Sequence, residues 1–594
     1  MKKWNWKKII AISVGSFVLV VGIVAITYVL FSGAINESIR TAITQYVRTR
    51  ITTGASNASQ GKVEIELGKI DFAYYMGALD VHDIRIRYRD TTTSIGKLVD
   101  IDMPIVQVRG IFPWDILWGG GLSLSSVMIA DPKVRYQVWG GSGVDTVVVP
   151  DTALVSLPHI PNVDSILHTL MVQALPTYAQ PFHISAIDVV GLSFTNTDVD
   201  PDAMFTGEMT GLSVKLRNIS IDSLKPAERP IDRFELSLEK WVRIYADDRS
   251  VLVTGLHILV SPTDSMLSVD SVAYHSPIAY AYQASDVVFS YRTKEITIRQ
   301  FDLGPSQNDV DYFAAKKYNN DRFRITGTRL RLGEIDFAAL TARTALHVKT
   351  VDLAKLDLDI ASNKRLRSDP ATEHPLMPNE IMATIPFSLS IDTIRVDSAT
   401  ILYGERWKHS VKPAELWWSG VKMMAVHLTN TPDQVVRPFN VWARGVFVGQ
   451  AMMEASFTIP LTSKVYTLTA KGALGKMNIS HLNSFLPIAD NLHVSSGVAR
   501  ASSFSFTIRG RKCVGVVEPH FTGLEFELVN KKTKKTGFFD GIASFLANWL
   551  VIKNDNDGDG YAPGKIRYTI PNDAAIMQTV WFPIRSGIKS AAGL

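Results

Sequence analysis

The sequence predicts a mainly β protein: an N-terminal transmembrane helix, then an elongated, curved, repetitive antiparallel β-sheet with few short helices. Three observations lead there. Residues 9–31 read IIAISVGSFVLVVGIVAITYVLF, without a charge. Beyond Gly61 apolar and polar residues alternate, as in Val63, Ile65 and Leu67 and again in Ile84, Ile86 and Tyr88, which is the period of a strand with one apolar face. One apolar spacing also recurs along the chain.

The first segment is long enough to cross a bilayer core, which takes about 20 apolar residues as a helix. Lys2, Lys3, Lys7 and Lys8 precede it. A basic flank stays in the cytoplasm, so residues 1–8 read as a cytoplasmic tail and the bulk of the chain lies across the membrane. The alternative is a cleaved signal peptide ending near Ser32-Gly33-Ala34, although the run exceeds the usual apolar length of about 7–15 residues. In the linker 32–60, Ile35, Ile39, Ile43 and Val47 fall at helical spacing. They predict an amphipathic helix, lying on the lipid surface or capping the first sheet.

The recurring spacing is apolar, +2, +5, +7, +12, +14. It fits Leu122, Leu124, Val127, Ile129, Val134 and Tyr136. It fits again at Leu346, Val348, Val351, Leu353, Leu358 and Ile360, and at Leu389, Ile391, Ile394, Val396, Ile401 and Tyr403. Phe182, Ile184, Ile187, Val189 and Phe194 lack the last position, and two four-position copies start at Leu79 and Ile296. Inside an uninterrupted strand an odd step turns a side chain to the opposite face. Keeping these residues on one face therefore needs a bulge or turn in each gap. Pro132 falls in such a gap, where a ladder hydrogen bond is expendable. Residues 61–475 thus read as one repetitive β region with an apolar face.

Helical patterns that could cover this face are few: 163–174, 335–342 and 479–486. Either the sheets pack on each other as sandwiches, or a sheet curls into a trough whose lining meets a ligand that is not protein. Beside a membrane the apolar ligand to expect is an acyl chain. On the trough reading the residues of the three full copies, with Ile184 and Ile187, line the groove.

The last third, 476–594, resembles the carboxy-terminal region of AsmA-like proteins. The resemblance rests on Leu482, Asn483, Pro487, Ser496 and Gly497, on Gly515 and Val517 followed by Leu524 and Phe526, and on Trp581, Phe582 and Gly587. The N-terminal anchor and LSLSSVMIADPKVRYQ (122–137) are similar to that family and to its longer TamB-like relatives. Pro519-His520 departs from it, at a place where an aromatic residue is expected. The resemblance implies a single-pass bacterial inner-membrane protein with its bulk in the periplasm. It also implies likeness to bridge-like lipid-transfer proteins, whose taco-shaped β groove shields lipid tails. Phospholipids, the inner membrane, and an outer-membrane or envelope-protein partner are the partners so implied. The expected function is phospholipid transfer between the two membranes. The alternative is an envelope scaffold or assembly factor that docks clients by strand addition.

Other chemistries find little support. With 62 basic and 57 acidic residues the chain lacks the charge of a nucleic-acid binder. A single cysteine, Cys513, excludes an intrachain disulfide framework and reads as a packed thiol. DNDGDG (555–560) matches the first half of a calcium loop, but Ile566 stands where the bidentate glutamate belongs. A polar turn is the better reading. The histidines show no metal spacing, Gly119–Gly121 and Gly140–Gly143 fit no phosphate loop, and Asp357 and Asp359 sit on the polar side of a strand. No enzyme, cofactor or metal is expected. Lys531, Lys532, Lys534 and Lys535 form a basic turn, solvated or touching anionic lipid. Trp549, Trp581 and Phe582 lie in apolar aromatic segments, which either touch a membrane or partner or pack as a lid on the last strands.

Overall fold

A computed structural model describes residues 45, 48, 49, 52, 53, 62–73, 77–90, 96–110, 122–139, 182–198, 205–221, 231–245, 247–319, 321–366, 375–431, 437–489, 491–529, 554–572, 574 and 576–591. The predicted transmembrane run 9–31, the 163–174 helix, Lys531–Lys535 and Trp549 lie outside them. No helix among the described residues is long and apolar enough to cross a membrane. In the linker, Gln45, Arg48, Thr49, Thr52 and Thr53 are helical. There the Thr49 and Thr52 hydroxyls donate to the carbonyls of Gln45 and Arg48.

The chain divides into two compact units. The first comprises Met1–Val148, Ile160–Ser276 and Asp286–Arg292; the second comprises Val149–His159, Pro277–Ser285 and Thr293–Leu594. The strands of the first are β1 (Val63–Glu66), β2 (Ile70–Ala73), β3 (Ala78–Asp90), β4 (Gly96–Arg109), β5 (Leu122–Ala130), β6 (Lys133–Trp139), β7 (Phe182–Asp198), β8 (Phe205–Ile221), β9 (Ile231–Tyr245), β10 (Ser250–Val260) and β11 (Ser265–His275). The division falls within β12 (Tyr280–Ser290). The second unit carries β13 (Glu295–Pro305), β14 (Arg322–Gly333), β15 (Ala345–Asn363), β16 (Ser388–Arg406), β17 (Ala414–Thr429), β18 (Phe439–Phe447), β19 (Ala451–Ile459), β20 (Thr467–Leu474), β21 (Met477–Asn478), β22 (Leu492–Ala499), β23 (Ser502–Arg509), β24 (Lys512–Glu518), β25 (Phe521–Leu528) and β26 (Gly564–Thr569).

Most neighbours in each unit are antiparallel. Two junctions are parallel, where an all-antiparallel sheet was expected: β5 and β6 against β7, and β15 against β16. These junctions explain the sequence repeat, because the copies pair with one another in register. Leu346, Val348, Val351, Leu353, Leu358 and Ile360 lie opposite Leu389, Ile391, Ile394, Val396, Ile401 and Tyr403. Leu122, Leu124, Val127, Ile129 and Val134 lie opposite Phe182, Ile184, Ile187, Val189 and Phe194. Tyr136 faces Asn196, the position at which the fourth copy breaks.

A parallel pair needs a crossover connection. Between β15 and β16 the crossover carries a short helix, Pro378–Thr384. Proline suits its first turn, and the Glu380 carboxylate accepts from the Met377 N–H at 2.7 Å. The other helices of the second unit are Asp309–Ala314, Phe337–Thr341, within the predicted 335–342, and Leu486–Ala489, which follows a 3-10 turn over Ile479–Ser484. A final helix spans Ile576–Ala591 and is called the terminal helix below.

The odd steps are made by kinks. The ladder skips a pair at Asp83, Asn218, Gly255, Arg329 and His427, and each of these residues has a left-handed backbone, φ between 51° and 63°. Asp83 stands opposite Pro104, which has no N–H to give. The gap at Pro132 ends β5 and restarts the chain as β6 on the same neighbour, β4. Asp131 there has φ 50°, and the chain is held by Asp131 N–H to Val190 O and Ser193 N–H to Pro132 O. In the copies on β7 and β16 the second gap coincides with register shifts against β8 and β17.

Candidate functional site

The kinks keep apolar residues on one face, and strand pairing joins them into ribbons running across the strands. In the first unit one ribbon reads Ile70, Val81, Val106, Ile129, Val189, Val214, Leu236, Ile258 and Leu267. Another reads Ile65, Ile86, Ile101, Val134, Phe194, Met209, Trp241, Val253 and Val272. In the second unit a ribbon runs Ile296, Leu332, Val351, Ile394, Ala425, Val441, Phe457, Ala470, Phe506, Gly515 and Ile566. Beside it runs Ile298, Leu330, Leu353, Val396, Met423, Ala443, Ala455, Gly472, Phe504, Val517 and Gly564. No member carries a charge.

The opposite face is a ladder of ion pairs. Arg85 Nε meets Asp102 Oδ1 at 2.8 Å, and Arg135 Nη2 meets Asp102 Oδ2 at 2.6 Å. The hydrogen bond from Arg85 holds the Asp102 carboxyl below its ordinary value. Asp188 pairs with Arg217 at 2.7 Å, and Glu235 joins Lys215, Arg233 and His257. In the second unit Arg331 bridges Glu295 and Asp352, and Asp352 takes Arg395 at 3.2 Å. Lys349, opposite in orientation to Val348, pairs with Glu334 at 2.9 Å. Such cross-strand pairs fix register. They also leave each sheet with one wet face and one greasy face.

Cover over the apolar face is uneven. Leu353, Val396, Ala399 and Val421 pack with Phe301, Leu330, Leu356, Ile401, Trp418, Met423 and Ala443, all of them strand residues of β13–β18. On the last strands, by contrast, Phe582 of the terminal helix is 8% exposed among Leu468, Ala470, Phe506, Ile508, Val517 and Ile566. A second covered region joins Leu416, Phe447 and Leu474 to Phe485, Leu486, Leu492, Val494 and Leu524, from the 3-10 turn region, the short helix after it, and the small sheet β21–β22–β25. Trp581 and Ile588 touch both packed regions.

The predicted lining residues divide accordingly. Leu124, Ile184, Val348, Leu353 and Val396 are buried, and Leu124 and Ile184 share a cluster with Val127, Ile129 and Ile187. Val134, Tyr136, Leu346, Val351, Leu358, Ile360, Leu389, Ile391, Ile394 and Ile401 are half-buried. Leu122 is placed by its backbone register alone. Tyr403 packs near Phe485 and donates its hydroxyl to Glu405 Oε1 at 2.8 Å.

Sequence reading missed two polar groups. Glu405 is fully buried and accepts from Tyr403 and from Trp407 Nε1 at 3.0 Å. Burial pushes its carboxyl up despite those donors. Asp309, at the start of the helix Asp309–Ala314, gathers Arg322 at 3.1 Å, Arg324 at 3.2 Å and Arg406 at 3.0 Å. Burial opposes its charge, but the arginines hold it below the ordinary value. Its partners come from two distant strands, β14 and β16, so no local pattern announces them.

Among the described residues no group of histidine, cysteine and carboxylate side chains could hold a metal. The DNDGDG segment does structural work. Buried Asn556 donates to Pro519 O and Ala562 O and accepts from Ala562 N, while Asp555 accepts from Gly523 N at 2.7 Å. His520, at the departure from the AsmA-like pattern, stacks on Tyr561 with ring centroids 4.2 Å apart. Cys513 is buried on the apolar face, and burial pushes its thiol up to about 12.

The chain matches no protein-family model and none of the curated proteins.

Proposed function

We propose that this protein is a membrane-anchored lipid-transfer protein whose apolar sheet face shields phospholipid acyl chains. The carrying observation is the set of uncharged ribbons that cross every strand from β13 to β17, with Leu353 and Val396 packed among strand residues of β13–β18. Each methylene removed from water is worth about 0.8 kcal/mol, so a bare acyl chain in water is prohibitive. An aliphatic lining makes no directional demands, so tails can slide along a ribbon while headgroups stay hydrated. The groove supplies no energy, and net direction comes from a gradient or a driven partner. The basic-flanked apolar run 9–31 is the anchor in this reading, with the bulk in the periplasm. The AsmA-like residues of the last third support the same assignment.

Photo-crosslinking residues at Leu124, Val351 and Ile394 test it. They are expected to capture phospholipid, whereas Ser123 and Lys349, on the other face, are not. Equal labelling of both faces would sink the groove.

A further inference from the structure

We infer that the acyl-chain path of the second unit is blind: the terminal helix Ile576–Ala591 permanently stops it on the last strands, and tails occupy only the stretch of the ribbons before the helix. This rests on the lipid-groove reading and adds where the tails can lie. Three observations carry it.

First, the cover changes along one and the same ribbon. Leu353 and Val396 pack with strand residues of β13–β18, whereas Val517, further along their ribbon, shares its cluster with Phe582 of the helix. An acyl chain following the ribbon meets a side chain already in its place.

Second, the helix backbone lies directly on the strands. A Cβ built on Gly564 would come 1.8 Å from the Gly587 carbonyl oxygen, and one on Gly587 would come 2.6 Å from Val517 Cγ2. Val517 and Gly564 are the last members of the second ribbon. Two glycines facing each other at such distance leave no room for even a methyl group, let alone a chain of methylenes. A loosely held flap has no need of that fit.

Third, the helix is tied down by polar contacts as well. The Thr579 hydroxyl donates to Ile576 O at 2.7 Å and lies 3.2 Å from the Tyr466 hydroxyl in the interior. The Ser590 hydroxyl accepts from Lys565 N–H at 3.1 Å. Further back, the floor of the second ribbon falls to Ala443, Ala455 and Gly472, and the Phe504 ring closes over Gly472, where a Cβ would meet it at 2.4 Å. Lipid therefore enters and leaves on the near side of the helix and does not pass beneath Phe582.

Cys513, the only cysteine, lies under the helix on the stopped side and serves as a native reporter. The full-length chain carrying Val351→Cys then holds one thiol on each side of the stop. Hexadecyl methanethiosulfonate is the alkyl probe, and site-by-site mass mapping reads the labelling. The expected result is labelling at position 351 that prior loading with phosphatidylethanolamine suppresses, with Cys513 reacting at least about tenfold more slowly. Equal rates at both thiols, both suppressed by lipid, would leave the groove standing and overturn the stop. An unreactive thiol at position 351, or labelling there that lipid leaves unchanged, would overturn the groove and the stop with it. Gly587→Leu forces the helix off β26 and should raise Cys513 labelling about tenfold in a chain with an unchanged circular dichroism spectrum. Unchanged labelling in that folded variant would mean that the helix is not the stop.

Discussion

Asp309 shows how one carboxylate can gather three arginines from two strands. Arg322, almost fully buried, reaches it from β14, and Arg406 reaches it from the end of β16. Removing one partner of a buried pair costs about 3–5 kcal/mol, an upper figure here because Asp359, 2.8 Å away, still faces Arg322. Asp309→Ala is therefore expected to lower the urea midpoint markedly, and a loss below about 1 kcal/mol would contradict the pairing. The Asp309 carboxyl is held below its ordinary value. Its contribution is thus complete above pH 4 and disappears as pH falls through the lowered value. Glu405 has the opposite sign. Its raised carboxyl favours the folded state at low pH, and that advantage is lost as pH rises from the ordinary value near 4.5 through the raised one. Glu405→Gln should raise stability at pH 8 relative to wild type and flatten the pH dependence of chemical denaturation. A variant less stable at pH 8 than at pH 5, like the parent, would contradict that assignment.

Kinked strands are the device that turns an ordinary alternating pattern into a one-faced sheet. Gly191, φ 72°, sits in the second gap of β7, and a Cβ there would lie 2.3 Å from Asp131 Oδ1 of the neighbouring kink. Gly191→Val combines left-handed strain with that clash. It should cost about 1–3 kcal/mol, read as a lowered melting temperature, and an unchanged melting temperature would mean that the two kinks are not coupled. Much of this was legible beforehand. The +2, +5, +7, +12, +14 spacing required kinks, and Pro132 marked one of them. Parallel pairing of the copies was not legible, because spacing says which residues share a face but not which strands lie side by side. The left-handed residues were equally hidden. Asp83, Asn218 and His427 are types that tolerate φ > 0, but Arg329 is not, and only tertiary pairing imposes it there. The aromatic end of the chain carried both readings at once. Phe582 has the composition of a membrane-facing residue and lies packed on β20, β23, β24 and β26, since apolarity alone does not say whether lipid or protein will cover a side chain.

Taken across each unit, the arrangement amounts to a sheet whose two faces have different solvents. One face pairs its charges in rows and is at home in water. The other carries aliphatic and aromatic residues interspersed with alanine, methionine and glycine, none of them charged, and around Leu353 and Val396 it clusters with strand residues of β13–β18. A surface of that kind marks a ligand or interaction site, and in the function proposed above its ligand is an acyl chain. Val351 and Ile394 are register partners in the middle of that stretch. A carboxylate at each would place two charges in the ribbon without touching the ion-pair ladder. Native mass spectrometry with lipid extraction, on residues 34–594 purified without detergent, reads the outcome most directly. The account predicts co-purifying phospholipid that is lost in the folded double variant Val351→Asp, Ile394→Asp. A folded parent that carries no lipid and takes up none when it is added would contradict it.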